Sequence, residues 1–544
     1  MATKPKQNNT WMPLAMSLSL VAGIVLGALM GNPFARNNMA NSDRKLNTIL
    51  NLISQEYVDD TVNVNDLVER SIPAILANLD PHSSYLTVQS LKEANEDLGG
   101  SFSGIGVSFQ VINDTVTVME VIPGGPSDKA GLLPGDKIVS VDGKDFVGPK
   151  VDANAVRSRL RGDKGTKVKV GINRDTSTKT LTYLITRGDV PVNSVDAAYS
   201  IEKGVGYVKV NQFGRNTYDE FVKGLQQLKT EGAKRFIVDL RGNGGGYMEI
   251  AILMVNEFLP ANQLIVSTKG RYRRDDSAIY SDGRGQFQDA ELVVLIDEFS
   301  ASASEIFAGA IQDNDRGLIV GCRSFGKGLV QKQIDLPDHS AVRLTIARYY
   351  TPSGRCIQKP YDHNGRGYDD ELLSRYSNGE LYSRDSIKID RTKIFTTSTG
   401  RKVYGGGGII PDIFVPRDTT GLSSYYFQAF NSGAVQQFAF NYVQNNRSRL
   451  KSMKDYKQLL RNMPSNDDLL NSFVEFAAQK GVPARWYYIN QSRDLLTTQL
   501  KALIARDLFG QEAYYPIYNR SDKVVEAALK ALNRHKAAFP ITDN

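Results

Sequence analysis

The chain has 544 residues, 41% hydrophobic and 23% charged, with 66 basic side chains against 59 acidic ones and a net charge of +7. These are ordinary globular proportions over a length that suits about three or four domains. Basic clusters such as RYRR at 271–274 run straight into Asp275 and Asp276, which a solvated surface explains better than a nucleic-acid footprint. Two cysteines, Cys322 and Cys356, exclude a disulfide scaffold and leave one bridge undecided, and four histidines limit metal sites and histidine chemistry.

Residues 11–31, WMPLAMSLSLVAGIVLGALMG, carry no charge. At about 1.5 Å per residue, such a helix spans roughly 30 Å, the hydrocarbon thickness of a bilayer. Lys4 and Lys6 precede it and Trp11 stands at an interfacial position. Residues 1–35 are therefore expected to be a cytoplasmic stub and a single-pass signal anchor, with the body outside the cytoplasm. A cleaved signal peptide is the alternative, for which GALMGNPF offers a poor site. Either way an extracytoplasmic body is expected, which suggests a bacterial envelope.

Residues 36–97 read as a helical region. Leu46, Ile49, Leu50 and Ile53 make one apolar stripe, and Leu67, Ile72, Ile75 and Leu76 another. The stretch LDPHSSYL at 79–86 then signals a turn. Its His82 is expected to make a structural hydrogen bond and to take no part in catalysis.

From 98 to 188 the pattern changes to short strands: GVSFQV, TVTVMEVI, KIVSVDG, KVKVGINR and KTLTYLIT. The loop SGIGVSF can aim backbone N–H groups at a terminal carboxylate while the strand edge accepts a peptide as an extra strand. Alone, GIG is a tight turn; joined to PSDKAGLLPGDKIVSVDG, the block resembles a PDZ domain.

Residues 189–417 alternate strand and helix and predict an α/β core. Within it, 355–405 is polar and rich in tyrosine and charge, and reads as an insertion. Amphipathic helices dominate 418–544, and the apolar stripes of 42–79 and 418–535 are expected to be buried by self-association. Three turns in the core could carry chemistry. DLRGNGGGY (239–247) is a glycine-rich strand-to-helix turn that leaves N–H groups unpaired, as an oxyanion hole requires; a plain flexible turn or anion nest fits equally. FSASASEIF (299–307) places serines at another such turn, where Ser302-x-x-Glu305 is also a capping box and Ser304 another cap candidate. Three alternating serines leave the nucleophile open. GCRSFGKG (321–328) nearly matches a phosphate loop, but Gly328 stands where a hydroxyl is needed, and two strands follow where a helix is required. A serine nucleophile needs a base, and no histidine lies between His82 and His339. Lys327, in an apolar and glycine-flanked setting, can serve if burial keeps its amine neutral. Gln331, four residues on, could orient the amine without adding charge.

LDPHSSYL, the PDZ-like block, DLRGNGGG, SASASEI, SFGKGLVQ, YYTPSGRCIQ and GIIPD follow one another across 79–415. Together they resemble the carboxyl-terminal processing peptidases, or tail-specific proteases, a Ser-Lys serine peptidase family. The resemblance implies a multidomain α/β protein: a crotonase- or ClpP-like peptidase core, an inserted PDZ domain and flanking helical regions. It implies Ser302 as nucleophile, Lys327 as base, Gln331 as its orienter, and the N–H groups of Gly246 and Ala303 as oxyanion hole. Gly104, Ile105, Gly106 and Val107 would form the carboxylate loop, and Arg161 would couple peptide binding to activation. No metal or cofactor is needed. The expected activity is endoproteolysis of envelope proteins at or from their C-terminal tails, through an acyl-enzyme, in a periplasmic body anchored to the inner membrane. Expected partners are such substrates, a second copy in a homodimer or higher oligomer, and an envelope adaptor, with no nucleic acid. A PDZ scaffold with an inactive core and a crotonase-like acyl transferase are the rivals.

Overall fold

A computed structural model describes residues 33–534 apart from 60, 113, 150, 175, 176, 178, 363–366 and 369, with the helical backbone alone at 33–43. Residues 11–31 lie outside this range. Among the described residues no helix is long and apolar enough to cross a membrane. The chain divides into two units, 1–76 and 77–544. The first holds α1 (Pro33–Glu56) and α2 (Val64–Leu76). Its apolar stripes stay largely open: Leu46, Ile49, Leu52 and Ile75 are about half exposed.

The second unit begins with β1 (Ser84–Leu86) and α3 (Val88–Gly99), which Thr87 caps by accepting from the Ser90 N–H. A β-rich domain follows. β2 (Ser101–Gly104) leads into β3 (Val107–Ile112), β4 (Thr115–Val121), α4 (Pro126–Ala130), β5 (Lys137–Val141), β6 (Lys144–Asp145), α5 (Ala153–Leu160), β7 (Lys167–Asn173), β8 (Leu181–Thr186) and β9 (Gly188–Pro191). Sheet order is β3-β4-β5-β7-β8, with β6 on β5, while β2 pairs with β9 where the domain leaves and rejoins the rest. Alternate residues such as Val116 and Val118, Val168 and Val170 point into one core. β3 is an edge strand, open along one side.

The α/β core contains β10 (Val195–Glu202), β11 (Val205–Val210), α6 (Thr217–Thr230), β12 (Arg235–Asp239), α7 (Met248–Asn256), β13 (Leu264–Gly270), β14 (Ser277–Tyr280), β15 (Glu291–Ile296), α8 (Ala303–Asp313), β16 (Leu318–Gly321), β17 (Leu329–Asp335), β18 (Ala341–Tyr350), α9 (Asp370–Ser377), β19 (Ile394–Thr396), β20 (Lys402–Tyr404) and β21 (Ile413–Phe414). The main sheet runs β10-β11-β12-β15-β16-β21, parallel from β11 onward. Its strands are apolar on both faces because both are covered. Phe236, Val238, Leu292 and Val294 pack under α6, α7 and α8. Tyr207, Ile237, Val293 and Leu295 face the opposite way, onto the helix Lys523–Asn533. A second, antiparallel sheet carries β1, β18, β13 and β14, with β17 also on β18.

The apolar stripes of 418–535, expected to need a second copy for burial, are mostly absorbed within the chain. Phe438, Leu470, Phe473, Leu500 and their neighbours form a core of their own, and Val525, Ala528 and Leu532 close the sheet. Phe427, Phe430, Trp486 and Tyr487 remain exposed. Cys322 and Cys356 are free thiols.

Candidate active site

The carboxyl ends of adjacent parallel strands are where an open α/β sheet gathers its loops into a crevice. Three such loops follow β12, β15 and β16. They are the glycine turn, the serine turn and the lysine loop.

In the glycine turn, hydrogen bonds use most of the N–H groups. Gly242 donates to Asp297, Asn243 to the Leu240 carbonyl, Gly245 to Asn243 Oδ1 (2.9 Å) and Tyr247 to the Phe213 carbonyl. The N–H groups of Gly246 and Ala303 find no acceptor among the described residues. Gly245 has φ +104° and lies so close to the serine turn that a Cβ there would come within 2.8 Å of Ser302 Cβ and 3.0 Å of Ala303 N. Glycine is thus required for this contact. Arg241 anchors the turn, pairing with Asp239 (2.6 Å) and with Asp522 (2.8 Å) at the start of the helix Lys523–Asn533.

The three serines differ. Ser300 and Ser304 are fully buried, and their hydroxyls donate to the carbonyls of Leu240 (2.9 Å) and Asn243 (2.8 Å), which ties the serine turn to the glycine turn. Ser302 is partly exposed and sits at the N-cap of α8 with φ +56° and ψ −113°. That is a strained conformation for a residue with a Cβ, held only because its surroundings determine it.

Glu305 is the residue the sequence undersold. It is fully buried, and its carboxylate accepts from the N–H groups of Ser302 (2.9 Å), Gly326 (2.7 Å) and Lys327 (2.8 Å) and from the Ser324 hydroxyl (2.5 Å). A capping box predicts only the first of these. The available signal was a carboxylate inside the otherwise small and apolar run SASEIFAGAI, where a charge is tolerated only if donors surround it. Burial pushes this carboxyl up to about 7, against the hydrogen bonds that hold it down. The Tyr349 hydroxyl adds a second tie, lying 2.7 Å from the Lys327 carbonyl and 3.2 Å from that of Ser302.

Lys327 leads into strand β17, with no helix to aim N–H groups at a phosphate. Burial holds its amine below the ordinary lysine value, partly opposed by the nearby Glu305 carboxylate. Its Nζ makes no hydrogen bond or ion pair among the described residues. The Gln331 amide, expected on that amine, donates to Thr345 Oγ1 at 3.3 Å on the facing strand. His82 makes the structural bond expected of it, 2.8 Å from the Tyr368 hydroxyl. It also lies close enough to Lys327 that burial, aided by that charge, lowers its imidazole to about 4.

The charge-rich stretch 355–405 wraps the lysine loop. Arg375 is buried and donates to the carbonyls of Ser324 (2.8 Å) and Phe325 (3.0 Å), and Gln358 accepts from the Gly328 N–H (2.8 Å). Arg323 pairs with Glu380 and Glu371, and Arg355 with Asp313 (2.7 Å). Periodicity could not reveal this, because buried ion pairs look like surface charge in a sequence.

In the β-rich domain, Ile105, Gly106, Val107 and Phe109 line one wall of a groove of about 280 Å³, and Arg157, Leu160 and Arg161 line the other. Gly104 ends β2, one residue ahead of this wall, and does not itself line the groove. Gly106 takes φ +76°. Arg161 stacks on Phe102 (4.4 Å to the ring centre) and pairs with Glu96 of α3 at 3.5 Å.

Residues 204–364 match the family model for peptidase family S41, 103–185 that for a PDZ domain, and 425–510 a family of unknown function. The chain is 34% identical over 414 residues to a carboxy-terminal-processing protease of Bartonella bacilliformis, covering 73% of this chain and 91% of that protein. It is 31% identical over 353 residues to a carboxy-terminal processing protease of Bacillus subtilis, covering 64% and 71%. Among solved structures, the photosystem II D1 C-terminal processing protease is 28% identical, with 58% of this chain and 93% of that one covered and a TM-score of 0.32. Fold, turns and relatives together define a serine-type peptidase that carries a PDZ domain. The chain belongs to peptidase family S41.

Proposed function

We propose that the protein cleaves polypeptides captured by their C-terminal tails, with Ser302 as nucleophile and Lys327 as general base. The observation that carries this is the contrast among the three serines: two are tied into the interior, and the third is presented at a helix N-terminus facing the glycine turn. Ser302 Oγ attacks the peptide carbonyl carbon and gives its proton to neutral Lys327. The N–H groups of Gly246 and Ala303, which have no other acceptor, suit the oxyanion. The C–N bond then breaks, and Lys327 returns the proton to the leaving amine. Water, deprotonated in turn by Lys327, attacks the acyl carbon; the bond to Ser302 Oγ breaks, and Lys327 returns the proton to that oxygen.

The tail would add to the open edge of β3, with its carboxylate at Gly104–Val107 and its side chains in the groove against α5. Arg161, held by Phe102 and Glu96, stands between that groove and α3 and suits the coupling role. Residues 1–35 would anchor the body on the periplasmic side of a bacterial inner membrane. The exposed stripes of α1 and α2 suit a second copy, and an envelope adaptor would present substrates. The division 36–97, 98–188, 189–417 and 418–544 fits these roles.

The test is peptide cleavage and fluorophosphonate labelling of the wild type and Ser302→Ala, beside Ser300→Ala and Ser304→Ala. Only Ser302→Ala should lose both signals while still binding tail peptides. A labelled, active Ser302→Ala protein would sink the assignment.

A further inference from the structure

LDPHSSYL lies far ahead of Ser302 in the chain, yet folding lays it beside the lysine. β17 and β1 both pair with residues 341–343 of β18, so they occupy opposite edges of that strand. β17 brings Gln331 directly across from Thr345, just after a bulge that re-aims the strand. From the other edge, the turn before β1 brings Asp80.

Asp80 is buried and accepts four hydrogen bonds, from the N–H groups of His82 (2.8 Å) and Ser83 (2.9 Å), the Ser83 hydroxyl (2.6 Å) and the Thr345 hydroxyl (3.0 Å). Burial alone would raise its carboxyl, but these bonds hold it below the usual value, so it stays an acceptor. The Thr345 hydroxyl has one hydrogen, and Asp80 takes it. Toward Gln331, 3.3 Å away, that oxygen can therefore only accept. The Gln331 amide must then turn its NH₂ to Thr345. Its Oε1 is the end left over, without a hydrogen-bond partner among the described residues. An amide oxygen accepts from an amine or ammonium, whereas the NH₂ end would meet a protonated lysine donor to donor.

We propose that Asp80 and Thr345 are positioning residues of the peptidase, which fix the Gln331 amide so that its oxygen is the end offered to Lys327 Nζ. This rests on the reading of Lys327 as base and Gln331 as its orienter. The other charged groups around Lys327 are Glu305 on α8, Arg343 on β18, and Lys359 beyond His82. The Asp80 charge also acts on the Lys327 amine through space, raising it, whereas its hold on the Gln331 amide runs through the directed chain of hydrogen bonds.

The test is the pH dependence of kcat and kcat/KM on a fluorogenic peptide, using the full chain in detergent. Thr345→Val keeps the branched shape and removes the hydroxyl. Its kcat should fall about 10- to 100-fold with KM within about twofold, and the acid limb should move to lower pH, because the Lys327 ammonium has lost an acceptor. Thr345→Ser should restore both. Asp80→Asn should move the limb in the same direction, and an unmoved limb there removes Asp80 from the chain. Thr345→Val combined with Gln331→Ala should be no slower than Gln331→Ala alone, since both act through one amide. A Thr345→Val defect that serine does not rescue, or that adds to Gln331→Ala, overturns the inference in favour of packing. If Gln331→Ala is impaired and Thr345→Val matches the wild type, the inference falls and the base assignment stands. If Gln331→Ala itself matches the wild type, the reading of Gln331 falls with it.

Discussion

Glu305→Gln and Glu305→Ala should separate two effects that the carboxylate combines. One oxygen accepts from the Ser302 and Lys327 N–H groups, and the other from the Gly326 N–H and the Ser324 hydroxyl. Glutamine has the same shape and one acceptor oxygen. Its better orientation keeps the Ser302–Lys327 pair and turns the NH₂ toward Ser324, whose hydroxyl can rotate to accept. The Gly326 N–H and the hydrogen of the Ser324 hydroxyl then both lose their acceptor, which costs about 2–6 kcal/mol at about 1–3 kcal/mol each. Alanine strands all four donors, three N–H groups and the Ser324 hydroxyl, about 4–12 kcal/mol by the same measure. Glu305→Gln should therefore keep cleavage within about tenfold of wild type, whereas Glu305→Ala should lose at least about a hundredfold, because the serine turn and the lysine loop lose their shared tie. pH supplies a second signature. The folded carboxyl is raised from 4.5 to about 7. Its linked stability is fully present below the unfolded value near 4.5 and is lost as pH rises through about 7, a swing on the order of 3 kcal/mol. Glutamine has no such swing. The stability gap between wild type and Glu305→Gln, read from denaturant midpoints at pH 5 and pH 8, should be wider at pH 5. A gap independent of pH, or an active and stable Glu305→Ala, would refute the reasoning.

Lys327→Arg should be as inactive as Lys327→Ala in a peptide-cleavage assay, because a guanidinium stays protonated and cannot accept the serine's proton. Since burial lowers the Lys327 amine, wild-type kcat/KM should rise with pH along an acid limb centred below the ordinary lysine value; a limb at or above 10.5 would contradict this. Gly245→Ala should abolish cleavage and labelling, since its Cβ would press on Ser302 and Ala303 in a left-handed backbone; retained labelling would show that the two turns can separate. Leu532→Ala, at a fully buried position under the main sheet, should cost about 2–5 kcal/mol in denaturant titration, and an unchanged midpoint would show that this helix does not hold the sheet.

Much of the architecture was legible because periodicity and punctuation agree. Within RFIVD and ELVVLI the stretches FIV and LVVLI are apolar at every position because both faces of the main sheet are covered. The glycine and serine turns stood out at strand ends, and Lys327 stood out by its apolar setting. Local pattern could not give the pairings across the fold. Glu305 looked like a cap because three of its four donors come from the lysine loop. Asp80 looked like a turn residue because its distinctive partner, Thr345, arrives from a distant strand. The stretch 355–405 read only as a polar insertion because Arg355 and Arg375 find their partners, Asp313 and the carbonyls of Ser324 and Phe325, only after folding. The C-terminal stripes suggested a partner molecule because nothing in their periodicity says that the sheet itself is one.

The helix Lys523–Asn533 has a consequence for how the protein is made. A polypeptide emerges amino end first, so every strand of the main sheet is available before this helix is. Until residues 525–532 arrive, Tyr207, Ile237, Val293 and Leu295 present an uncovered apolar face to water. Arg241, in the glycine turn, likewise waits for Asp522. The glycine turn and the distant carboxyl-terminal segment therefore mature together. A nascent or truncated chain lacking that segment is left with an open sheet and an Arg241 missing one of its two carboxylate partners, a form suited to retention by chaperones and poorly suited to cutting its neighbours.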